Sequence, residues 1–330
     1  MKKILVTGAS GFVGSAMCSS LLAQGYTVRA AVRSVDVILS AKCLEVIAVG
    51  EVGAHTDWSA ALAGVDCVIH CAGRAHVMLD TEHDALAAFR AVNVSGTQRL
   101  AECAAALGVR RLVFLSSIKV NGESTDGLMR PLGARISERG LDALAPENPY
   151  AVSKLEAEQA LWAVSLKTGL EVVVVRPPLV YGPGVKGNLL RLLRWVARGV
   201  PLPLGAAHNQ RSFIGLSNLV DLLQCCAEHP VAAGQTFLAS DGHDLSTPQL
   251  IRLMAEGMNR PVRLLSIPRV LLQAVGSLLG KRSEIHRLMG SLQVDSSYIQ
   301  AQLDWTPPVS VEEGVHEMAQ WYAGLQDTKE

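Results

Sequence analysis

Short runs of consecutive apolar residues alternate, through the first half of the chain, with stretches where apolar residues return every three or four positions. Ile4 to Thr7, Thr27 to Val32, Val46 to Val49, Cys67 to Cys71, Leu112 to Leu115 and Val172 to Val175 are the apolar runs. Each is too short for a helix and lacks polar alternation, which predicts a strand covered on both faces. Between them, 85–107 and 150–166 carry the 3.6-residue period of helices that cover such strands. Strand–helix alternation repeated six times predicts an α/β fold with a doubly wound parallel sheet. After Arg176 the pattern changes. Pro177, Pro178, Gly182, Pro183 and Gly184 make a turn-rich stretch, and alternation beyond it is irregular. The reading is therefore a nucleotide-binding domain over 1–176 and a smaller lobe over 177–330, with segments near 212–240 returning to the sheet.

Composition narrows the classes. Hydrophobic residues make up 49% of the 330 and aromatic ones only 5%, an aliphatic balance suited to a parallel sheet. Thirty basic residues offset thirty acidic ones. No global field then draws the chain to nucleic acid or to a charged bilayer, and an anionic ligand must be held by a few local groups. The seven cysteines, Cys18, Cys43, Cys67, Cys71, Cys103, Cys225 and Cys226, have neither disulfide-framework nor zinc-site spacing. They read as buried thiols of a cytoplasmic protein, and no metal is expected. The apolar run after Met1-Lys2-Lys3 is too short for a signal peptide, and no stretch is long enough to span a bilayer. Val270 to Leu279 is apolar and ends at Lys281-Arg282; it reads as a helix on the second lobe, with membrane-surface contact as the alternative.

The first strand runs directly into Thr7-Gly8-Ala9-Ser10-Gly11-Phe12-Val13-Gly14 and a helix. Glycines there allow a tight turn and close backbone approach to a pyrophosphate, while the opening helix offers unpaired N–H groups and a positive dipole end. This makes the sheet Rossmann-type and names Gly8, Ser10, Gly11, Phe12, Val13 and Gly14 as dinucleotide-binding candidates. The second strand ends at Arg33-Ser34, with no carboxylate before Asp36. A carboxylate in that place holds the adenosine ribose of NAD; an arginine fork suits a 2′-phosphate. NADP(H) is therefore preferred and NAD(H) remains possible. Glu51 and Val52 fall where the adenine edge is expected, and Cys71, Ala72 and Gly73 end the fourth strand beside the nicotinamide ribose.

Tyr150 and Lys154 stand four residues apart at the start of a helix, on one face. A lysine cation one turn away is expected to lower the phenol's pKa and fit it for proton exchange. Ser117 ends the fifth strand, where a hydroxyl can orient a substrate oxygen, with Ser116 as the neighbour open to confusion with it. Ser117, Tyr150 and Lys154 are the catalytic candidates, with Lys154 also in reach of the nicotinamide ribose.

Together these residues resemble the extended short-chain dehydrogenase/reductase family over nearly the whole chain. The likeness includes Asn93-Val94-Ser95-Gly96-Thr97, Pro149-Tyr150-Ala151-Val152-Ser153-Lys154, Arg176-Pro177, Val180-Tyr181-Gly182-Pro183-Gly184, Arg211-Ser212-Phe213-Ile214 and Leu303-Asp304-Trp305. The resemblance implies that Asn93 and Pro177 join the cofactor set. It also implies that Arg211 holds a nucleotide diphosphate, with Lys119, Asn188, Arg191 and Arg287 as further substrate candidates, and that the chain forms a homodimer through a four-helix interface. Within the family the chain is similar to UDP-sugar 4-epimerases and to 4-keto-reductases of surface-polysaccharide (O-antigen) synthesis. Ser116-Ser117-Ile118-Lys119-Val120-Asn121-Gly122-Glu123 resembles the reductases that make UDP-N-acetylquinovosamine or UDP-N-acetylfucosamine. The first expectation is thus NADPH-dependent reduction of a UDP-4-keto-6-deoxy-HexNAc. A 4-epimerase with tightly bound NAD is the alternative, and a non-catalytic NADP sensor and a dehydrogenase of an unrelated small alcohol or lactone are lesser readings.

Overall fold

Seven parallel strands form one sheet, and the inner strands are buried because consecutive side chains leave them on opposite, equally covered faces, while the edge strand at 44–48 stays partly exposed. The computed structural model describes residues 2–34, 44–75, 84–126, 131–133, 144–268, 271 and 289–327. In chain order the first elements are β1 (Lys3–Thr7), α1 (Phe12–Ala23), β2 (Thr27–Val32), β3 (Leu44–Ala48), α2 (Ser59–Leu62), β4 (Cys67–His70), α3 (Ala85–Arg90), α4 (Gly96–Ala106), β5 (Arg111–Leu115), β6 (Leu132–Gly133), α5 (Pro149–Thr168) and β7 (Glu171–Arg176). There follow β8 (Leu179–Tyr181), α6 (Gly187–Ala197), β9 (Phe213–Gly215), α7 (Leu216–Glu228), β10 (Thr236–Leu238), α8 (Thr247–Gly257), β11 (Val294–Asp295), α9 (Ser297–Leu303) and α10 (Val311–Asp327).

The sheet order is β10-β7-β5-β4-β1-β2-β3. Chain order reverses between β1 and β4, and that crevice is where an open α/β sheet takes its ligand. Ile4, Val6, Val113, Val173 and Val175 point to one face, against α1 and α7. Leu5, Val68, Leu112, Phe114, Val172 and Val174 point to the other, against α4 and α5. Thr236–Leu238 pairs with β7, so a strand from beyond residue 177 closes the edge of the sheet. A third core lies in the second lobe, where Leu192, Leu193 and Val196 of α6 meet Met254 of α8 and Val315 and Met318 of α10.

Local sequence explains where the elements begin and end. Asn148 caps α5, its side chain accepting from the Ala151 N–H at 2.9 Å, Pro149 opens the helix, and Gly169 closes it in the left-handed conformation at φ 78°. Two expectations need correction. The third strand begins at Leu44 and ends at Ala48, earlier than the apolar run at 46–49 suggests. The periodic stretch at 85–107 is not one helix; a π-helical turn over Ala91–Ser95 separates α3 from α4 and turns Asn93 inward. The apolar segment at 270–279 lies outside the described residues except for Leu271. No described helix is long and apolar enough to cross a membrane.

The lobe is fastened to the sheet through one half-buried carboxylate. Asp241 accepts from Tyr181 Oη at 2.7 Å, from Asn218 Nδ2 at 2.8 Å and from the Gly215 N–H. Asn218 also exchanges two hydrogen bonds with the Val309 backbone, ahead of α10. Asp241→Ala strands the Tyr181 hydroxyl in the interior. It should lower unfolding stability by about 2–4 kcal/mol, read from urea denaturation. A loss below about 0.5 kcal/mol would show that water replaces the carboxylate without cost.

Candidate active site

The end of β1 and the end of β4 approach so closely that only glycine fits between them. Gly8 sits at φ +64°, and a Cβ there would stand 2.7 Å from the Ala72 nitrogen. A Cβ on Gly14 would stand 2.1 Å from the Gly8 carbonyl oxygen. The Gly11 N–H donates to that same oxygen at 2.8 Å, closing the turn before α1. Gly8, Ser10, Gly11, Phe12, Val13 and Gly14 thus form a tight backbone turn opening onto a helix N-terminus, the arrangement that receives a pyrophosphate. The residues present fit a dinucleotide.

Arg33 and Ser34 lie exposed at the end of β2, beside this turn. No carboxylate stands at that strand end among the described residues; Asp36 lies outside them. Glu51 is exposed and its carbonyl takes the Thr56 hydroxyl at 2.9 Å, while Val52 packs over Gly96. Past β4, the Ala72 N–H donates to Thr7 Oγ1 at 3.2 Å, and that hydroxyl meets His70 Nδ1 at 2.6 Å. His70 Nε2 in turn meets Thr97 Oγ1 at 2.9 Å. Burial pushes the His70 pKa down to about 3, so the ring is neutral and serves as a spacer between β4 and α4. Desolvation pushes the thiol of half-buried Cys71 up to about 12, and it stays protonated. The six described cysteines are unpaired.

Asn93, which the resemblance places in the cofactor set, is built into the protein's own hydrogen bonds beside the crevice. Its Oδ1 accepts from the Arg74 N–H at 2.7 Å, and its Nδ2 donates to the Arg74 carbonyl at 3.0 Å and to Ser153 Oγ at 2.9 Å. Both amide hydrogens are committed to the protein. Asn93 therefore shapes the Gly73–Arg74 loop and ties it to α5.

The three catalytic candidates converge. Ser117 follows β5 in extended conformation, and Tyr150 stands in the first turn of α5, where Ser117 favours its phenolate. Lys154 Nζ donates to the Leu115 carbonyl at 2.8 Å and lies 4.4 Å from the centre of the Phe114 ring. A Cβ on Gly73 would stand 3.5 Å from that nitrogen, so the ammonium, the end of β4 and the tyrosine share one crevice. Burial dominates the acid–base balance. It pushes the Tyr150 phenol up to about 12, with Ser117 acting against it, and the Lys154 ammonium down to about 8. The lysine was expected to lower the phenol's pKa. In the protein without ligand the desolvation of the phenol outweighs any such help, and Lys154 is turned toward a carbonyl and a π face.

Sequence reasoning passed over the residues that hold this arrangement. Glu158, one turn beyond Lys154, is buried and accepts from Arg176 through Nε at 3.0 Å and Nη2 at 2.5 Å, and from Ser116 Oγ at 2.5 Å. Arg176 Nη1 donates to Asn121 Oδ1 at 3.1 Å. Ser116 is thus a strut, and Ser117 is the half-buried hydroxyl beyond it. The i, i+4 spacing of Lys154 and Glu158 was the available signal. Pro177 is buried and its carbonyl accepts from the Ile118 N–H at 2.9 Å, which seats the loop after β5.

The substrate candidates are less united. Lys119 Nζ pairs with Glu123 at 3.0 Å, and Asn148 Nδ2 donates to the same carboxylate. Arg211 donates to the Gly290 carbonyl at 3.0 Å; burial lowers its pKa while Asp126 and Glu123 favour its charge. Lys119 and Arg211 therefore share one carboxylate neighbourhood. Asn188 lies apart, exposed at the start of α6 and accepting from Arg191 Nη2 at 2.7 Å. Arg287 lies outside the described residues. A cavity of about 340 Å³ between α1, α7 and α10 includes none of these side chains.

Residues 4–239 match the NAD dependent epimerase/dehydratase family. The chain belongs to that family. It is 43% identical over 97% of its length to a UDP-glucose 4-epimerase of Vibrio cholerae, of which it covers 95%. It is 26% identical to an N-acetyl-alpha-D-glucosaminyl-diphospho-ditrans,octacis-undecaprenol 4-epimerase of Escherichia coli O157:H7, over 80% of this chain and 75% of that one. Among solved structures, a UDP-glucuronic acid 4-epimerase from Bacillus cereus in complex with NAD superposes with a TM-score of 0.78 at 19% identity, over 98% of this chain and 99% of that chain. The epimerase/dehydratase family member described here is accordingly an NAD(P)-dependent enzyme with the fold of the sugar-nucleotide epimerases.

The buried lysine makes the stability of this family member depend on pH. Below pH about 8 the folded protein bears the full cost of an ammonium out of water; above the ordinary value of 10.5 it bears none. Lys154→Met should raise stability at pH 7 by as much as about 3 kcal/mol and flatten the rise that the native chain shows between those values. Urea unfolding at pH 7 and pH 10 measures both. Equal stability of the two proteins at pH 7 would contradict the burial cost.

Proposed function

We propose that the chain is a UDP-hexose 4-epimerase, acting at carbon 4 of the sugar with a retained dinucleotide. The observation that carries the proposal is Tyr150, one turn from a lysine that lies against the Gly73 backbone and donates to the Leu115 carbonyl, two residues before Ser117. The 43% likeness to a UDP-glucose 4-epimerase along almost the full length supports the substrate class.

In this reading the backbone of Gly8, Gly11 and Gly14, with the first turn of α1, holds the pyrophosphate, and Lys154 holds the nicotinamide ribose. When bound, the nicotinamide supplies the hydride acceptor and donor, and in its oxidised form the positive charge that favours a phenolate. Tyr150 Oη takes the proton of the carbon-4 hydroxyl and later returns one to that oxygen. Ser117 Oγ orients the oxygen through both passages. Arg211 and Lys119 supply local positive charge for the UDP diphosphate.

A 4-keto-reductase, the first reading of the sequence, stays as the second because of two observations. Burial holds the ligand-free phenol well above neutrality, which suits a proton donor to a reduced carbonyl. The exposed Arg33 and Ser34 suit the 2′-phosphate of a cofactor that exchanges each turnover. The readings separate in one assay. An epimerase interconverts UDP-glucose and UDP-galactose with no added reductant and releases NAD on denaturation. A reductase instead oxidises NADPH mole for mole with a UDP-4-keto-6-deoxy sugar. If neither reaction occurs with the loaded protein, both readings fail.

Tyr150→Phe should cut turnover by about 10²–10⁴-fold with little change in dinucleotide binding. Retained turnover would remove the tyrosine from the proton path. Arg33→Asp should move cofactor preference from NADP toward NAD by at least about tenfold, read from the ratio of binding constants. An unchanged ratio would mean that Arg33 does not contact the adenosine ribose.

A further inference from the structure

The outer wall of the second lobe carries a charge that the balanced composition conceals. From Lys186 to Val200 and from Met258 to Pro268 the sequence contains no Asp or Glu. α6 buries Leu189, Leu192, Leu193 and Val196 against the lobe core and turns Arg194, Trp195 and Arg198 outward. The chain then runs alongside 261–265. The Leu202 N–H donates to the Arg263 carbonyl at 2.8 Å, and the Leu265 N–H to the Leu202 carbonyl at 2.8 Å. Gly199, Val200, Pro261, Val262 and Arg263 line one small common hollow. One surface thus presents Arg194, Arg198, Arg260 and Arg263, all exposed. Among them stand large apolar side chains in water: Trp195 at 36%, Val200 at 42%, Val262 at 38% and Leu265 at 50% exposure. Arg191 lies 5.8 Å from the centre of the Trp195 ring. The next acid along the chain, Glu256, is 3.7 Å from His316 on α10.

We propose that this face docks the enzyme on the surface of an anionic lipid bilayer. Exposed tryptophan and aliphatic side chains ringed by arginines are the two halves of an interfacial contact. The apolar groups enter the boundary of headgroups and acyl chains, and the guanidinium groups meet lipid phosphates. A nucleic acid would satisfy the arginines and leave Val200, Val262 and Leu265 wet. An apolar protein partner would cover those three and strand the arginines. The bilayer satisfies both sets, and its negative surface complements the four exposed arginines. The docking surface shares none of the residues of the Tyr150 crevice, so it stands or falls apart from the proposed reaction.

The test is sedimentation of the full chain with vesicles of phosphatidylglycerol and phosphatidylcholine, against vesicles of phosphatidylcholine alone. Binding should favour the anionic vesicles by at least about 100-fold at low salt, since each arginine near such a surface adds roughly fivefold. It should fall steeply as salt rises. The triple variant R194E/R198E/R263E should lose the binding. W195S/L265S, which leaves every charge in place, should weaken it by about tenfold or more. Both variants should keep the native circular dichroism spectrum and dinucleotide binding. No binding to anionic vesicles at low salt, equal binding to neutral ones, or undiminished binding by the triple variant overturns the proposal. So does concentration-dependent self-association that W195S/L265S abolishes in a protein that ignores vesicles, because the occupant is then a second copy of the chain.

Discussion

A single buried carboxylate fixes the working parts of this enzyme relative to one another. Glu158 on α5 accepts the fork of Arg176 from β7 and the hydroxyl of Ser116 from the end of β5. All three groups are almost wholly removed from water. An ion pair so placed gains nothing over an apolar pair in stability, because the desolvation cost consumes the attraction. What it supplies is register. Arg176 and Ser116 leave their strands at fixed points, and Glu158 lies one helical turn from Lys154 and two from Tyr150. The distance between the tyrosine on the helix and Ser117 on the strand is therefore set by the three groups beneath them.

Above that anchor, burial works on two titratable groups in opposite senses. The phenol of Tyr150 is held up and the ammonium of Lys154 held down, each by the same loss of solvent. At neutral pH the crevice thus pairs an uncharged phenol with a weakened ammonium. A cationic ring beside the phenol changes its pKa in the direction proton abstraction requires, whereas a reduced, uncharged ring leaves it a donor. Epimerisation and reduction differ in which of these states begins the cycle, which is why the two proposed activities share every residue of the site.

The second lobe is held to the sheet by Asp241 and Asn218 and contributes β10 to the sheet edge. Its inner side brings Arg211 near Glu123 and Lys119; its outer side gathers arginines around exposed apolar residues. A chain with equal numbers of acids and bases can therefore present positive charge locally. Averages over the sequence carry no information on that distribution.

Much of this was legible in the sequence. The apolar runs identified six of the seven strands of the sheet, because a strand covered on both faces leaves a continuous signature. The glycine loop and the Tyr150–Lys154 spacing were legible for a similar reason: backbone clearance and helical periodicity are local requirements, written in adjacent residues. The π-helical turn at Ala91–Ser95 was not, since the pattern of apolar residues continues through it. Nor was the use of Asn93 as a clamp on Arg74, or the choice of Ser116 as strut. Those assignments depend on which groups meet across 19 and 42 residues of chain. The sequence by itself determined the fold class, the dinucleotide cradle and the pair on one helical face. Only the tertiary structure decided the protonation balance of that pair and the partners that hold it. Burial and contact between distant segments exist only once the sheet has closed against its helices.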